Sequence, residues 1–444
     1  MFEGDHILDI GNHLVTAACH AGASAAEVYV RYGSSTHITW QHQCISQSSG
    51  WENNLALRVW HEDNSLILTT NDFTPARLTE LANHACKQLK EHRGVPQRPA
   101  LRTGASPLVF AATSEAHARV EEKIEAIEAL LAAVRSNWPL ATTILNASYV
   151  EASPWIGLVN SHGFAAVYPT TSCSIWTWLE GDEGHLVTAT SSQKFADLNL
   201  QAIGRYLNER AAFPQQPLMS APNGRYQVLL PPIAAAELAR TLGTLLTGEN
   251  VLSTLQPLRQ HLNRAIATTA VTLIDDSTLP GGVKSRPIDD EGTATEATTL
   301  LEKGVLKTLL HTRQTAEQFG IPANGKATRS NLWAPPHSAP SNIYLQAGDT
   351  PLEALRQEIE DGLAVTGILE PGGIQGVAGN FVMLVQGSWV KNGQVIGQVH
   401  SVRLSLNIFE LLRNIRACGN DLEFSPLLPG AGAPSLLIES MQVG

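Results

Sequence analysis

The sequence predicts an α+β protein: an N-terminal α/β region with mixed sheets and amphipathic helices, followed by a β-rich C-terminal domain. Three observations carry this reading. Apolar residues recur at helical spacing in a few separated segments, clearest at Val120, Ile124, Ile127, Leu131 and Val134. Alternating or β-branched runs fill most of the space between those segments. In the second half such runs dominate.

In chain order, Ile7, Ile10, Leu14, Ala17 and Ala21 predict a helix over Asp5 to Ala21, with Gly22 suited to the left-handed position beyond its end. "AEVYVRY" then sets Val28, Val30 and Tyr32 against Glu27, Tyr29 and Arg31, the pattern of a half-buried strand. Separate β-pieces follow in "THITW", "NLALRVW" and "SLILTT". Thr74 and Pro75 start a helix whose inner stripe is Leu78, Leu81, Ala82, Ala85 and Leu89. The Pro- and Gly-rich "EHRGVPQRPALRTGASP" reads as a connector, giving subdomains 1–95 and 96–222. The second contains the helix near 120–134, four β-like runs from "ATTILNASYVEA" to "HLVTATSSQKF", and a helix from about Asp197 to Arg210.

A second connector, "FPQQPLMSAPNGR", leads into a domain over 223–444. It opens with "YQVLL", Pro231 and Pro232, then a helix with Ala235, Leu238, Leu242 and Leu245 inward and Gly248 at its end. Hairpins are expected at Lys303-Gly304 and at Asn392-Gly393. "TPLE" predicts a further helix with Thr350 as N-cap, Pro351 in the first turn and Glu353 as capping-box partner.

Composition narrows the function classes. With 444 residues and a formal charge of -11 spread without long acidic runs, the chain lacks the clustered Lys and Arg that a nucleic-acid partner requires. Only 16% of residues are charged, which leaves surface for a sizeable protein contact. Five scattered cysteines without a CxxC argue against a disulfide framework or a zinc ribbon. No stretch approaches the length of a membrane span and no signal peptide is visible, so a reduced, cytoplasmic chain is expected.

Motifs for chemistry are mostly incomplete. None of the 15 histidines sits in an HExxH or HExxxH frame, and "HEDNSL" at His61 lacks the second histidine. His37 and His42 fall in an extended stretch, where an odd offset sends side chains to opposite faces. "GIPANGKAT" nearly spells a phosphate-cradling loop around Lys326, but Ala327 replaces the metal-binding hydroxyl and "WAPP" follows instead of a helix. Ser161 and His162 lack a GxSxG elbow and sit among turn formers. Asp289, Asp290, Glu291 and Glu296 supply carboxylates without EF-hand spacing, and the glycines at 372, 373, 376 and 379 lack GxGxxG order.

The order of motifs is more specific than any one of them. "GASAAEVYVRYG", "LVNSHGFAAVYPTT", "LPGGVKSRPIDDEGTATEATTLLEKGVLKTLLHTRQTAEQFG", "GKATRSNLW" and "GNFVMLVQGSWVKNGQVIGQVHSVRLSLNIFELLRNI" together resemble the TldD/PmbA family across nearly the whole chain. The resemblance implies a cytoplasmic peptidase built from two kinds of subunit. One kind carries zinc on a HExxxH helix together with a cysteine near the C-terminus; the other, PmbA or TldE, lacks those ligands. Aligning "TGE" with the family's "EGD" puts Ala239, Arg240 and Thr244 at the His, Glu and His positions. Cys418 falls about two residues out of register and is not expected to be a ligand.

The resemblance therefore implies a metal-free subunit, with zinc on a TldD-like partner and peptide, including leader peptide in some members, as substrate. Arg329, Asn331 and Asn380 lie in matching motifs and are candidates for peptide contact or for bracing loops. Two other classes stay open. One is a stand-alone peptide-binding or maturation accessory protein; the other is an autonomous hydrolase built on Ser161, His162 and the Asp289 to Glu291 turn.

Overall fold

The first helix, α1, spans Glu3–His20 and presents Ile7, Leu14 and Ala18 inward, and Gly22 follows at φ 100°, a conformation that favours glycine. A computed structural model describes residues 3–91, 94–104, 107–110, 118–137, 143–181, 184–211, 218–375 and 379–444. Gly376 and residues 212–217 of the second connector lie outside the described residues.

The β-pieces expected separately after α1 are single long strands. β1 (Ala25–Gln41) pairs along its whole length with β2 (Cys44–His61), from Ala25 opposite Trp60 to Gln41 opposite Cys44. β3 (Asn64–Thr70) continues the meander, and helix α2 (Pro75–Lys90) follows. β1 continues through the polar stretch Gly33 to Thr36 because β2 and a later strand hold it from both sides. At Gly33 a Cβ would meet Pro154 Cα and Ser153 O at 2.5 Å, so the strands approach closely where no side chain stands.

That later strand is β6 (Thr143–Asn160), which follows the two-residue strands β4 (Val95–Pro96) and β5 (Leu108–Val109) and helix α3 (Val120–Asn137). β7 (Ala165–Pro169), β8 (Ser172–Gly181) and β9 (Gly184–Ser192) complete a nine-stranded sheet, seven of whose strands run in the order β4-β3-β2-β1-β6-β7-β5, with β8 on β6 and β9 on β8. β6 forks it, pairing through Trp155 to Val159 with β7 and through Thr143 to Ala152 with β8. The segments on either side of residue 95 thus share one sheet through the β1–β6 pairing.

Helices α1 and α2 cover one face around Val28, Val30, Leu57 and Leu78. α3 and α4 (Leu200–Ala211) cover the far end, around Ile38, Ile127, Tyr149 and Ile175. The other face of β1 and β6 is also buried: Tyr29, Ile156, Leu158, Phe164 and Tyr168 pack with Ile288. Glu27 and Tyr29, placed by alternation on the weaker side of a half-buried strand, are 3% and 7% exposed because the C-terminal domain lies on them.

That domain contains two six-stranded sheets. In one, β10 (Gly224–Leu230) is followed by strands 361–375, 380–391, 394–407, 436–443 and 415–418, and β10 also pairs with 436–443 to close five of them into a ring. The other has the order 305–306, 297–302, 273–276, 343–345, 431–433, 423–424. Both expected hairpin turns form, with Lys303 and Gly304 at φ 46° and 81°, and Asn392 and Gly393 at φ 49° and 72°. The "TPLE" helix starts one residue later than expected, at Leu352 with Pro351 as N-cap and no side-chain cap bond. Replacing Gly33 with Val is expected to cost about 1–3 kcal/mol or more, read as a lower urea midpoint with unchanged slope.

Candidate functional site

Helix α5 (Pro232–Leu245) carries the three positions that the family resemblance sets against a metal-binding helix. Pro231 caps it, Pro232 lies in its first turn, and Ala235, Leu238, Ala239 and Leu242 are buried. It packs tightly: a Cβ on Gly243 would meet Ile343 Cδ1 at 2.5 Å and Pro340 Cβ at 3.0 Å. Gly248 does not end it. The helix stops at Leu245, and Gly248 begins a second short helix, Gly248–Ser253, capped by Thr247, whose Oγ1 accepts from Asn250 N. Gly248 is small for packing: a Cβ there would meet Thr315 Cβ at 2.6 Å.

The side chains at the three key positions are committed elsewhere. Ala239 offers a fully buried methyl group. Arg240 Nη2 lies 3.0 Å from Glu237 Oε2 and donates to Gly372 O at 2.9 Å. Thr244 Oγ1 donates back to Arg240 O at 3.1 Å. Burial raises the Glu237 carboxyl, and Arg240 opposes that. A zinc ion needs imidazole, thiolate or carboxylate donors, and a methyl, a guanidinium and a helix-bonded hydroxyl do not fit one. Cys418 is buried, its Sγ donating to Ala270 O at 3.3 Å, and burial pushes the thiol up to about 12.

The Asp289 to Glu291 turn is an anchor between the two halves of the chain. Asp289 Oδ1 accepts from the amides of Glu291 and Thr293, and its Oδ2 accepts from Ala327 N. Asp290 takes Arg286 Nη1 at 2.7 Å and the Arg329 amide at 2.7 Å. Glu291 Oε2 accepts from Arg313 N at 2.7 Å. Across the seam, Arg329 forms an ion pair with Glu27, lies over the Tyr29 ring at 5.0 Å, and has a side chain only 3% exposed. A guanidinium enclosed in this way braces the halves.

The other candidate residues are scattered. Among the described residues Asn331 Oδ1 is buried without a hydrogen-bond partner, whereas Asn380 is exposed at the start of strand 380–391. Among the described residues, no hydrogen bond links Asn380 to Arg329 or Asn331. Lys326 has no phosphate role to play: fully buried, it lies 2.8 Å from Asp275 Oδ2 and donates to Ser277 Oγ and to the carbonyls of Asp275 and Glu296. Ser161 Oγ accepts from Ala26 N at 3.0 Å, so it closes a turn next to β1.

A family model described as "PmbA/TldA metallopeptidase C-terminal domain" matches residues 223–444, half of the chain. The chain belongs to the PmbA/TldD family. A metalloprotease of Methanothermobacter thermautotrophicus is 25% identical over all of this chain and 98% of its own length. Metalloprotease PmbA of Escherichia coli O157:H7 is 26% identical over 37% of this chain and 34% of its own. TldE from Thermococcus kodakarensis has the same fold, with TM-score 0.78 and 17% identity over 98% of this chain and 99% of that one. Among the described residues, no helix is long and apolar enough to cross a membrane.

Within this PmbA/TldD fold, sequence reasoning missed Glu27, Asp275 and Arg286. Glu27 looked like the polar side of a strand, and Asp275 and Arg286 carried no local motif. Of the same network, Asp289 to Glu291 stood out as carboxylates without a cation-loop spacing, Lys326 as part of an incomplete phosphate loop, and Arg329 as a contact or bracing candidate.

Burial raises Glu291 to about 8, with the Asp289 charge adding, and raises Asp289 to about 6. The folded chain therefore holds protons that the unfolded chain releases. This contribution to stability is full below the ordinary carboxyl range and is lost as pH rises through about 6 and then about 8. Glu291→Gln is expected to flatten that loss, leaving the variant roughly 4 kcal/mol more stable than the native chain at pH 9 relative to pH 5, as read from denaturant titrations. Lys326→Met strands the Asp275 carboxylate and is expected to cost about 3–5 kcal/mol in the same assay.

Proposed function

We propose that this chain is the metal-free subunit of a TldD/TldE-type zinc metallopeptidase, supporting the binding and proteolysis of unfolded or leader peptides in the cytoplasm. The observation that carries the reading is α5: a family helix, still packed in place, with Ala239, Arg240 and Thr244 where a metal-bearing subunit needs donors. The zinc and the water it activates then belong to a TldD-like partner.

Two further features support the reading. Trp51, Trp178 and Trp333 are exposed, and aromatic residues of this kind are enriched in protein interfaces. Two adjoining grooves, of about 490 and 590 Å³, share Ala202, Glu423, Phe424, Ser425 and Pro426. Their walls include Thr190 to Ser192 of β9, which pairs only with β8 among the described residues, and strand 423–424 at the end of its sheet. Open strand edges suit an extended peptide, which can add main-chain hydrogen bonds without a fixed sequence.

Co-expression with a paralogue carrying HExxxH is the decisive experiment. The two chains should co-purify, with zinc and peptide cleavage in the complex and neither in this chain alone. Stoichiometric zinc with cleavage by the isolated chain would overturn the proposal. Peptide binding without any association would favour a stand-alone accessory protein instead.

A further inference from the structure

A further cavity, of about 220 Å³, lies in the seam between the halves, walled by Tyr29, Arg31 and Tyr168 on one side and by residues 283–286, Gly325, Lys326, Thr328 and residues 339–341 on the other. Four cationic side chains line it, Arg31, Lys284, Arg286 and Lys326, and no carboxylate does among the described residues. Three of the four are matched from outside the lining. Glu52 holds Arg31 at 2.9 Å, Asp290 holds Arg286 at 2.7 Å and Asp275 holds Lys326 at 2.8 Å. Lys284 alone has no carboxylate within ion-pair distance among the described residues. Its side chain is exposed overall, yet enough protein surrounds the amine that loss of solvent lowers it from the ordinary lysine range. Asp275 opposes that shift, while Arg240 and Arg286 add to it.

We propose that this cavity binds a single carboxylate group, held by Lys284 with Arg31 and Arg286 behind it. The charge count selects the ligand: one unmatched ammonium balances one negative charge, where a phosphate dianion brings two. The size agrees, because the space is smaller than the roughly 300–1,000 Å³ of drug-sized sites and suits an acidic group with a residue or so attached. Tyr29 and Tyr168, whose rings form part of the wall, bring hydroxyl-bearing side chains to the same site. Both sides of the seam contribute, so the site exists only when the N-terminal sheet lies on the C-terminal domain. Two sources present this chemistry, a peptide's C-terminal carboxylate and an acidic side chain. The inference does not require a metal-bearing partner, since every residue belongs to this chain.

Calorimetric titration of the full chain alone at low salt tests it, using N-acetyl-Ala-Ala-Ala as free acid, its C-terminal amide, N-acetyl-Ala-Glu-Ala amide and inorganic phosphate. At least one carboxylate probe should bind tenfold or more tightly than the Ala-Ala-Ala amide, and which one binds assigns the source. Lys284→Gln should weaken that binding tenfold or more while leaving the thermal midpoint unchanged, because Lys284 is exposed. Equal binding of acid and amide, no binding of either carboxylate probe, tighter binding of phosphate, or an unaffected Lys284→Gln variant would each overturn the proposal. None of these outcomes bears on whether the chain pairs with a zinc subunit, which the co-expression experiment reads separately.

Discussion

The pairing of Glu27 with Arg329 joins the two halves of this molecule. Glu27 lies on β1 and is 3% exposed; Arg329 comes from beyond the Lys326 loop, some 300 residues later in the sequence, and its side chain is equally enclosed. Neither charge is tolerable in such a place alone, since removing one leaves the other desolvated and unpaired. The pair sits in a wider lattice. The Arg329 amide bonds Asp290, Asp290 holds Arg286, and Asp289 gathers the amides of Glu291, Thr293 and Ala327. Buried ionic contacts of this kind add little net stability over an apolar interface, but they admit few alternative registers. They set where the nine-stranded sheet rests on the C-terminal domain.

The same seam carries unbalanced features. Arg58 is buried, with Nε and Nη2 lacking a hydrogen-bond partner among the described residues, and burial lowers its guanidinium to about 10, with Glu27 opposing that and Arg329 adding to it. Glu291 keeps a proton near neutral pH for the same reason. Concentrating ionisable groups between two halves makes their docking sensitive to charge. Four cationic side chains, and no carboxylate among the described residues, line the seam cavity although the whole chain is acidic.

Helix α5 is held in place by packing alone. Its inner face is set by Ala235, Leu238, Ala239 and Leu242 and by the contact of Gly243 with Pro340 and Ile343. None of those interactions requires a metal. Arg240 turns its charge to Glu237 and to Gly372 O, and so forms a local ion pair on the helix.

Much of this was legible in the sequence, for physical reasons that differ by element. α1, α2 and α3 were readable because 3.6-residue periodicity is a local property, and the turns at Lys303-Gly304 and Asn392-Gly393 because left-handed backbone there favours particular residues. The family was readable because five motifs kept their order. The sequence by itself thus determined the element types and the β-rich C-terminal half. It could not show that β1 and β2 run unbroken through polar stretches, that Gly248 opens a helix instead of closing one, or that Glu27 is buried. Those were decided by tertiary structure alone, because each depends on a surface supplied from far along the chain: β6 beside Gly33, Thr315 over Gly248, and Arg329 against Glu27.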